Sequence, residues 1–115
     1  MSWYKNEVVA PNRKEVVYEI VTKDDNVGFG LAVAVIEESA PHHHGRTRET
    51  YTLIEGKLEV HCGDDVHILE QPGQSIEIPI GVIHWARHIG NIPAHVTVLT
   101  IPAWTLQDHI ANGAA

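Results

Sequence analysis

The chain has 115 residues, with 15 acidic and 8 basic side chains and a formal net charge of −7. This length is enough for one core, which predicts a single domain over residues 1–115. The acidic balance leaves no basic stripe for phosphates, and no apolar run approaches the roughly 20 residues that span a bilayer. We therefore predict neither a nucleic acid nor a membrane partner.

Taken in chain order, the sequence consists of short β-rich runs separated by turn residues, and no segment has a sustained helical pattern. This organisation is typical of an all-β sandwich or barrel. Strands are predicted over residues 15–21, 28–36, 48–54, 57–62, 66–69, 75–78, 82–88 and 94–101. A short helix or coil is predicted for the tail from Trp104 to Ala115.

The second predicted strand is apolar on both of its alternating faces, so we expect it to be covered on both sides. Phe29, Leu31 and Val33 share one face and are interpreted as inner residues of the sheet that contains them.

Nine histidines are present, and three of them are consecutive in the middle of the chain. On a strand, residues two positions apart point to the same face about 6.5–7 Å apart. His42 and His44 can therefore converge on one ion, whereas His43 points away. Glu49 follows after a four-residue turn, which allows the next strand to present a carboxylate to the same point. An isolated surface or core histidine is the alternative interpretation for each ring.

These residues resemble the first motif of the cupin superfamily. The pattern is His42-x-His44, then four residues, then Glu49, then six residues and Gly56, and it matches without a gap. Gly56 lies where a tight turn needs positive φ.

The second cupin motif has a similar counterpart at residues 73–88. Gly73 is followed by five residues, Pro79-x-Gly81, two residues and His84. The family usually continues to an Asn, and this chain has His88 at that position. With the first motif at 42–56, the resemblance extends over nearly the whole chain.

The resemblance to a small single-domain cupin implies a jelly-roll β-barrel with an ion bound inside near one mouth. It also implies that the metal ligands are His42, His44, Glu49 and His84. Ligands of this kind suit one divalent transition metal ion, which is Fe, Mn, Ni, Co or Zn.

Three further side chains are candidates for substrate binding or proton transfer beside the ion. Tyr51 shares the face of Glu49 and can offer its hydroxyl to a substrate, or it can simply pack. His88 shares the parity of His84 and is either a proton carrier, with an ordinary pKa near 6.5, or a structural replacement for Asn. Arg46 can clamp an anion or remain solvated in its loop.

Three nitrogen ligands and one oxygen ligand leave positions open on the ion, as catalysis requires. The primary hypothesis is an enzyme acting on a small oxygenated substrate by isomerase, lyase or dioxygenase chemistry. The alternatives are a non-catalytic small-molecule sensor and a structural or storage protein. The sequence carries no motif for an organic cofactor.

The only cysteine, Cys62, excludes an internal disulfide, and the chain shows no apolar secretory segment. We therefore expect a cytoplasmic protein. The N-terminal region carries Trp3, Tyr4, Val8 and Val9, which is more apolar surface than a small barrel uses, so a homodimer is also predicted.

Overall fold

The computed structural model describes residues 2–112, and this part of the chain forms eleven antiparallel β-strands and two short 3-10 turns. The strands build two sheets that face each other, as in a jelly-roll barrel. None of the described helical segments is long and apolar enough to cross a bilayer.

The first sheet has six strands. Its order is β1, β2, β3, β10, β5 and β8, and each neighbouring pair is antiparallel. In this order, the strand bounds are Asn6–Val9, Glu15–Val21, Gly30–Ile36, Ala94–Ile101, Arg48–Glu55 and Ser75–Ile78.

The second sheet has five strands in the order β11, β4, β9, β6 and β7. Their bounds, in the same order, are His109–Ala111, His42–His44, His84–His88, Leu58–Cys62 and Asp65–Leu69. The 3-10 turns are Lys23–Asp25 and Leu106–Asp108.

The core lies between the two sheets and is built from alternate residues of each strand. Leu53 and Val96 extend from the first sheet, Leu58 and Val60 from the second, and all four are buried almost completely. Burial of such a side chain stabilises the fold by about 1.5–3 kcal/mol. The same alternation directs Glu49 and His84 into the interior, because they share the inward parity of the core residues beside them.

The strand predictions are confirmed, and β2, β8 and β10 have the predicted bounds. Turn chemistry explains two of the corners: Gly56 and Gly81 have φ of 82° and 80°. At Gly56 an added Cβ would lie 3.0 Å from the carbonyl oxygen of Pro93, so the turn also needs the missing side chain.

The predicted inner face of β3 is wrong for two of its three residues. Gly30, Ala34 and Ile36 are the buried members of this strand, whereas Val33 is half-buried and Phe29 lies outside the strand, exposed. Leu31 lines the interior cavity. Both faces of β3 are apolar, so alternation alone does not distinguish them. The face of Val33 pairs with Tyr18 on the outer surface of the sheet.

The prediction of a helix or coil for the tail is also wrong where the structure describes it. Residues after Trp104 form one 3-10 turn and then β11, which pairs with β4 through His109 and His44. Residues 113–115, which belong to the same prediction, lie outside the described part.

Candidate metal centre

Four side chains from three strands meet between the two sheets. His42 and His44 lie on β4, and His42 pairs directly with His84 on the adjacent strand β9. Glu49 begins the inward face of β5 in the other sheet. All four are buried, and one potential ligand atom from each lies within 4.8 Å of the others.

The Glu49 carboxylate is at the centre of this cluster. Its Oε2 lies 3.5 Å from Nε2 of His44, and its Oε1 lies 3.3 Å from Nε2 of His84. The His42 and His84 rings are 4.1 Å apart between centroids. The four residues therefore surround one point and do not form separate pairs.

Several buried polar atoms of this cluster have no hydrogen-bond partner in the described part of the chain, which indicates the kind of group that the cluster can bind. Among the described residues, both ring nitrogens of His44, Oε1 of Glu49 and Nε2 of His84 are buried without a hydrogen-bond partner. Leaving such a group unpaired costs about 1–3 kcal/mol, and native proteins rarely tolerate several together. Imidazole nitrogens and one carboxylate fit a divalent transition metal ion, which would satisfy Oε1 of Glu49, Nε2 of His84 and one ring nitrogen of His44 at once.

Backbone carbonyls hold two of the rings in position. Nδ1 of His42 donates to the carbonyl oxygen of Ala40 at 2.8 Å, and Nδ1 of His84 donates to that of Val82 at 2.9 Å. Because a carbonyl only accepts, Nδ1 carries the proton in each ring. Nε2 is then left with its lone pair facing the cluster, as a metal ligand requires.

The pKa shifts of His42 and Glu49 favour the protonation states that bind a cation, whereas that of His44 favours a protonated ring. Burial, and then the adjacent His84 ring, lowers the pKa of His42 to about 3, so this ring is neutral. For Glu49, burial raises the pKa, but the neighbouring His44 and His84 outweigh it and hold that pKa well below its usual range. For His44, the Glu49 carboxylate outweighs burial and raises the pKa. The cluster thus presents an ionised carboxylate beside a neutral imidazole.

A cavity of about 420 Å³ opens beside the cluster and is lined by His42, His44 and Glu49. Tyr51 also lines it, as predicted from its shared face with Glu49. Burial, and then the charge of Glu49, raises the pKa of Tyr51 well above its usual value, so its hydroxyl keeps the proton. This size and a small number of polar groups are typical of small-molecule sites.

His43, His88 and Arg46 lie away from the point where the four candidate ligands meet. His43 points outward and its Nδ1 contacts Oδ1 of Asn112. His88 is the last residue of β9, about 13 Å along the strand from His84, and is not among the residues that line the cavity. Arg46 lines a separate, smaller cavity of about 220 Å³. The geometry thus gives the predicted roles of His88 and Arg46 no support.

The sequence interpretation missed the contribution of His109, in the tail. The ring of His109 stacks on His42, with centroids 4.3 Å apart and planes 15° from parallel, and Trp104 Nε1 donates to its Nδ1 at 3.3 Å. Burial, and then the His44 charge, lowers the pKa of His109. His109 is exposed at the surface and also lines the cavity.

Hydrogen bonds to Asp108 hold the tail beside the cluster. The Asp108 carboxylate accepts hydrogen bonds from the backbone N–H groups of Gly45, Arg46 and Thr47, at 3.0, 3.1 and 3.0 Å. These N–H groups belong to the loop between the ligands on β4 and Glu49. The tail therefore holds the loop that joins three of the four candidate ligands.

Two acidic residues of the cavity were also missed. Glu15 and Glu19, both on β2, line it together with Val17 between them. The only sequence signal is their shared parity with Val17, which packs against the core.

Comparison with known proteins agrees with this geometry. The family model described as a cupin domain matches residues 32–102. No curated protein matches the chain significantly in sequence.

Solved structures are similar in fold at low identity. KdgF from Halomonas sp. has 17% identity and a TM-score of 0.72, over 87% of this chain and 90% of that one. Ectoine synthase from P. lautus has 17% identity and a TM-score of 0.68, over 80% and 67%. Oxalate decarboxylase from Lactobacillus farciminis has 18% identity and a TM-score of 0.74, over 93% of this chain but 33% of that one. The family match covers more than half of the residues, and the chain therefore belongs to the cupin domain family.

Proposed function

We propose that the chain is a metal-dependent enzyme that acts on a small oxygenated molecule. The ion would be held by His42, His44, Glu49 and His84, and the substrate by the adjoining cavity. The observation that carries the proposal is the set of buried ligand atoms without partners at the edge of a cavity large enough for a small molecule. Names of the similar structures, which include a synthase and a decarboxylase, also favour an enzyme.

When bound, the ion would polarise a substrate oxygen or accept dioxygen, which permits isomerase, lyase or dioxygenase chemistry. The protein supplies the rest of the site. His42 and His84 are oriented by backbone carbonyls, so their ligand atoms are fixed before any substrate enters. The apolar side chains of the cavity keep water from the part of the substrate that does not touch the ion.

Tyr51 is the catalytic residue that this proposal places beside the ion. Its hydroxyl is protonated at neutral pH, because burial and Glu49 raise its pKa. It therefore serves as a hydrogen-bond donor to a substrate oxygen, or as the acid that delivers a proton to it. His88, which was also predicted to be catalytic, lies outside the cavity lining and has no step in this proposal.

The proposal is tested by loading the purified protein with iron, manganese or zinc and incubating it with small diols, hydroxyketones and thiols. Product should form with loaded protein and be lost in a His84→Ala variant, while a His43→Ala variant retains it. Oxygen uptake in step with product identifies a dioxygenase, whereas turnover without oxygen identifies an isomerase or lyase. Tight binding of a panel member without product would support a small-molecule sensor instead and overturn the proposal.

Tyr51→Phe gives a more local test on any substrate so found. Loss of the hydroxyl should lower kcat by about 100-fold while metal content stays unchanged, which is the usual range for general acid catalysis. Tyr18→Phe is the matched control, since Tyr18 lies on the outer aromatic cluster with Trp3 and Tyr4. Equal effects of the two substitutions would remove Tyr51 from the mechanism.

A further inference from the structure

The charges around the cavity are unusually one-sided. Glu15, Glu19 and Glu49 line it, and no lysine or arginine from the described part of the chain does so. Two arginines lie between His44 and Glu49. Arg46 faces the separate smaller cavity, and Arg48 is exposed, 3.5 Å from Glu77. The rest of the surface is largely apolar, through Val8, Val17, Val21, Leu31, Val98 and Trp104.

We propose that this cavity selects a largely apolar ligand with no negative charge apart from the oxygen that meets the ion, and that Glu15 enforces this selection. The inference rests on the proposed metal site and deepens it by naming the substrate class. A divalent ion beside Glu49 carries one net positive charge, which one ionised ligand oxygen neutralises. A second negative charge on the ligand would have no cation to pair with.

The cost of that second charge decides the selection. An unpaired charge in apolar surroundings loses its hydration, and a nearby carboxylate of the same sign adds repulsion. Neutral groups of the ligand meet no such penalty and gain by covering the apolar side chains.

Glu15 is positioned to contact the ligand directly. It lies on β2, separated from Glu49 on β5 by the two strands β3 and β10 of the same sheet. Among residues 2–112 its carboxyl finds no hydrogen-bond partner, although it lines the cavity. Burial, and then the charge of Glu49, raises its pKa to about 7. Near neutrality it can therefore donate a hydrogen bond to a neutral ligand oxygen, as well as accept one.

The test uses two oxygen chelators that differ in charge and in apolar surface. The protein is loaded with Co(II), and its visible spectrum is titrated with maltol, which binds through one ionised oxygen, and with oxalate, which is a dianion. The same two titrations on aqueous Co(II) give the preference of the metal without the cavity. Cobalt content is measured before and after each titration to exclude stripping of the ion.

We expect the protein to shift the preference toward maltol by about tenfold relative to aqueous Co(II), which corresponds to about 1.4 kcal/mol. In Glu15→Gln, which keeps the shape and removes the charge, most of this shift should disappear through tighter oxalate binding. Glu77→Gln, an exposed residue on β8, should leave both affinities unchanged.

Failure of the metal site and failure of the selection by Glu15 would give different results in this experiment. A protein that takes up no cobalt overturns the proposed metal site itself. A protein that binds cobalt but prefers oxalate as aqueous Co(II) does, or whose Glu15→Gln variant keeps the full shift, overturns the selection by Glu15 and leaves the metal site standing.

Discussion

At the scale of single residues, the candidate centre depends on groups that are forced into one protonation state. His42 is kept neutral by burial, and Glu49 is kept ionised by His44 and His84. Both states are those that a cation binds, whereas His44, whose pKa is raised by Glu49, must release its proton when metal binds. Glu15 is the exception, because burial raises its pKa to about 7 and leaves it poised between two states.

The raised pKa of Glu15 predicts a pH-dependent effect on stability in metal-free protein. An acid whose pKa is higher in the folded state binds protons more readily when folded, so stability is lost as pH rises from about 4.5 to about 7 and stays lost above it. The glutamine in Glu15→Gln cannot ionise, so this variant does not lose stability as the pH rises. It should raise the free energy of unfolding by about 1–2 kcal/mol at pH 8 and by much less at pH 5.

Urea denaturation at the two pH values measures this difference. Glu77→Gln, whose carboxyl is exposed, serves as the control and should show no such pH dependence. An equal gain at pH 5 and pH 8 would mean that packing, and not ionisation, is responsible.

At the scale of secondary-structure elements, the tail and the loop after β4 stabilise each other. Asp108 accepts three backbone hydrogen bonds from residues 45–47, and its neighbour His109 places β11 alongside β4. Burial raises the pKa of Asp108, but the N–H groups of Arg46, Thr47 and Gly45 outweigh it and lower that pKa overall. The ionised carboxylate is therefore part of the fold at neutral pH.

Asp108→Ala should lower the free energy of unfolding by about 2 kcal/mol, because three N–H groups lose their acceptor. It should also weaken metal binding by about tenfold, since the loop that joins His44 and Glu49 is no longer held. Thermal unfolding and metal titration measure the two effects. Asp64→Ala, at an exposed turn, is the control. A variant with normal stability and metal affinity would show that the tail is not needed to hold the loop.

Local patterns were sufficient to predict most strands but not their contacts. Residues 94–101 are β-prone throughout, and β10 has these bounds. The short β11 has no such pattern, because its three residues become a strand only through pairing with β4 and through Asp108, which is distant in sequence from its donors. In β3 both faces are apolar, so its inner face was a choice that the sequence does not determine.

The sequence likewise predicted the metal ligands of the site but not all residues of its cavity. The spacing of His42, His44 and Glu49, and the resemblance carried by both motifs, predicted the cluster that the structure contains. Glu15 and Glu19 were missed, since hydrophobic alternation assigns acidic residues to the solvent face. The cavity reverses that rule for β2, because its inward face meets open space beside the ion and not a packed core.

At the scale of the whole molecule, several large apolar side chains remain exposed near the N-terminus. Trp3 is 59% exposed and Val9 is 51% exposed, on or beside the edge strand β1. Uncovered edges of this kind favour pairing with another chain. The homodimer therefore stays a prediction, as does the cytoplasmic location.

Size-exclusion chromatography with light scattering should give about 25 kDa, twice the 12.7 kDa of one chain. Val9→Lys should shift this mass toward the monomer, because it places a charge in the apolar edge. Ile92→Lys, at an exposed turn, should remain dimeric. A wild-type protein that elutes as a clean monomer would contradict the dimer prediction without affecting the metal site.

The most direct test of the metal centre is the metal content of two variants that differ by one position on β4. After removal of metal by chelation and reloading with excess nickel, wild type and His43→Ala should each retain about one ion per chain by elemental analysis. His44→Ala should retain less than about a tenth of that, since its ring is one of the four ligand groups that would surround the ion. A full equivalent of metal in His44→Ala, or none in wild type, would contradict the assignment of the centre.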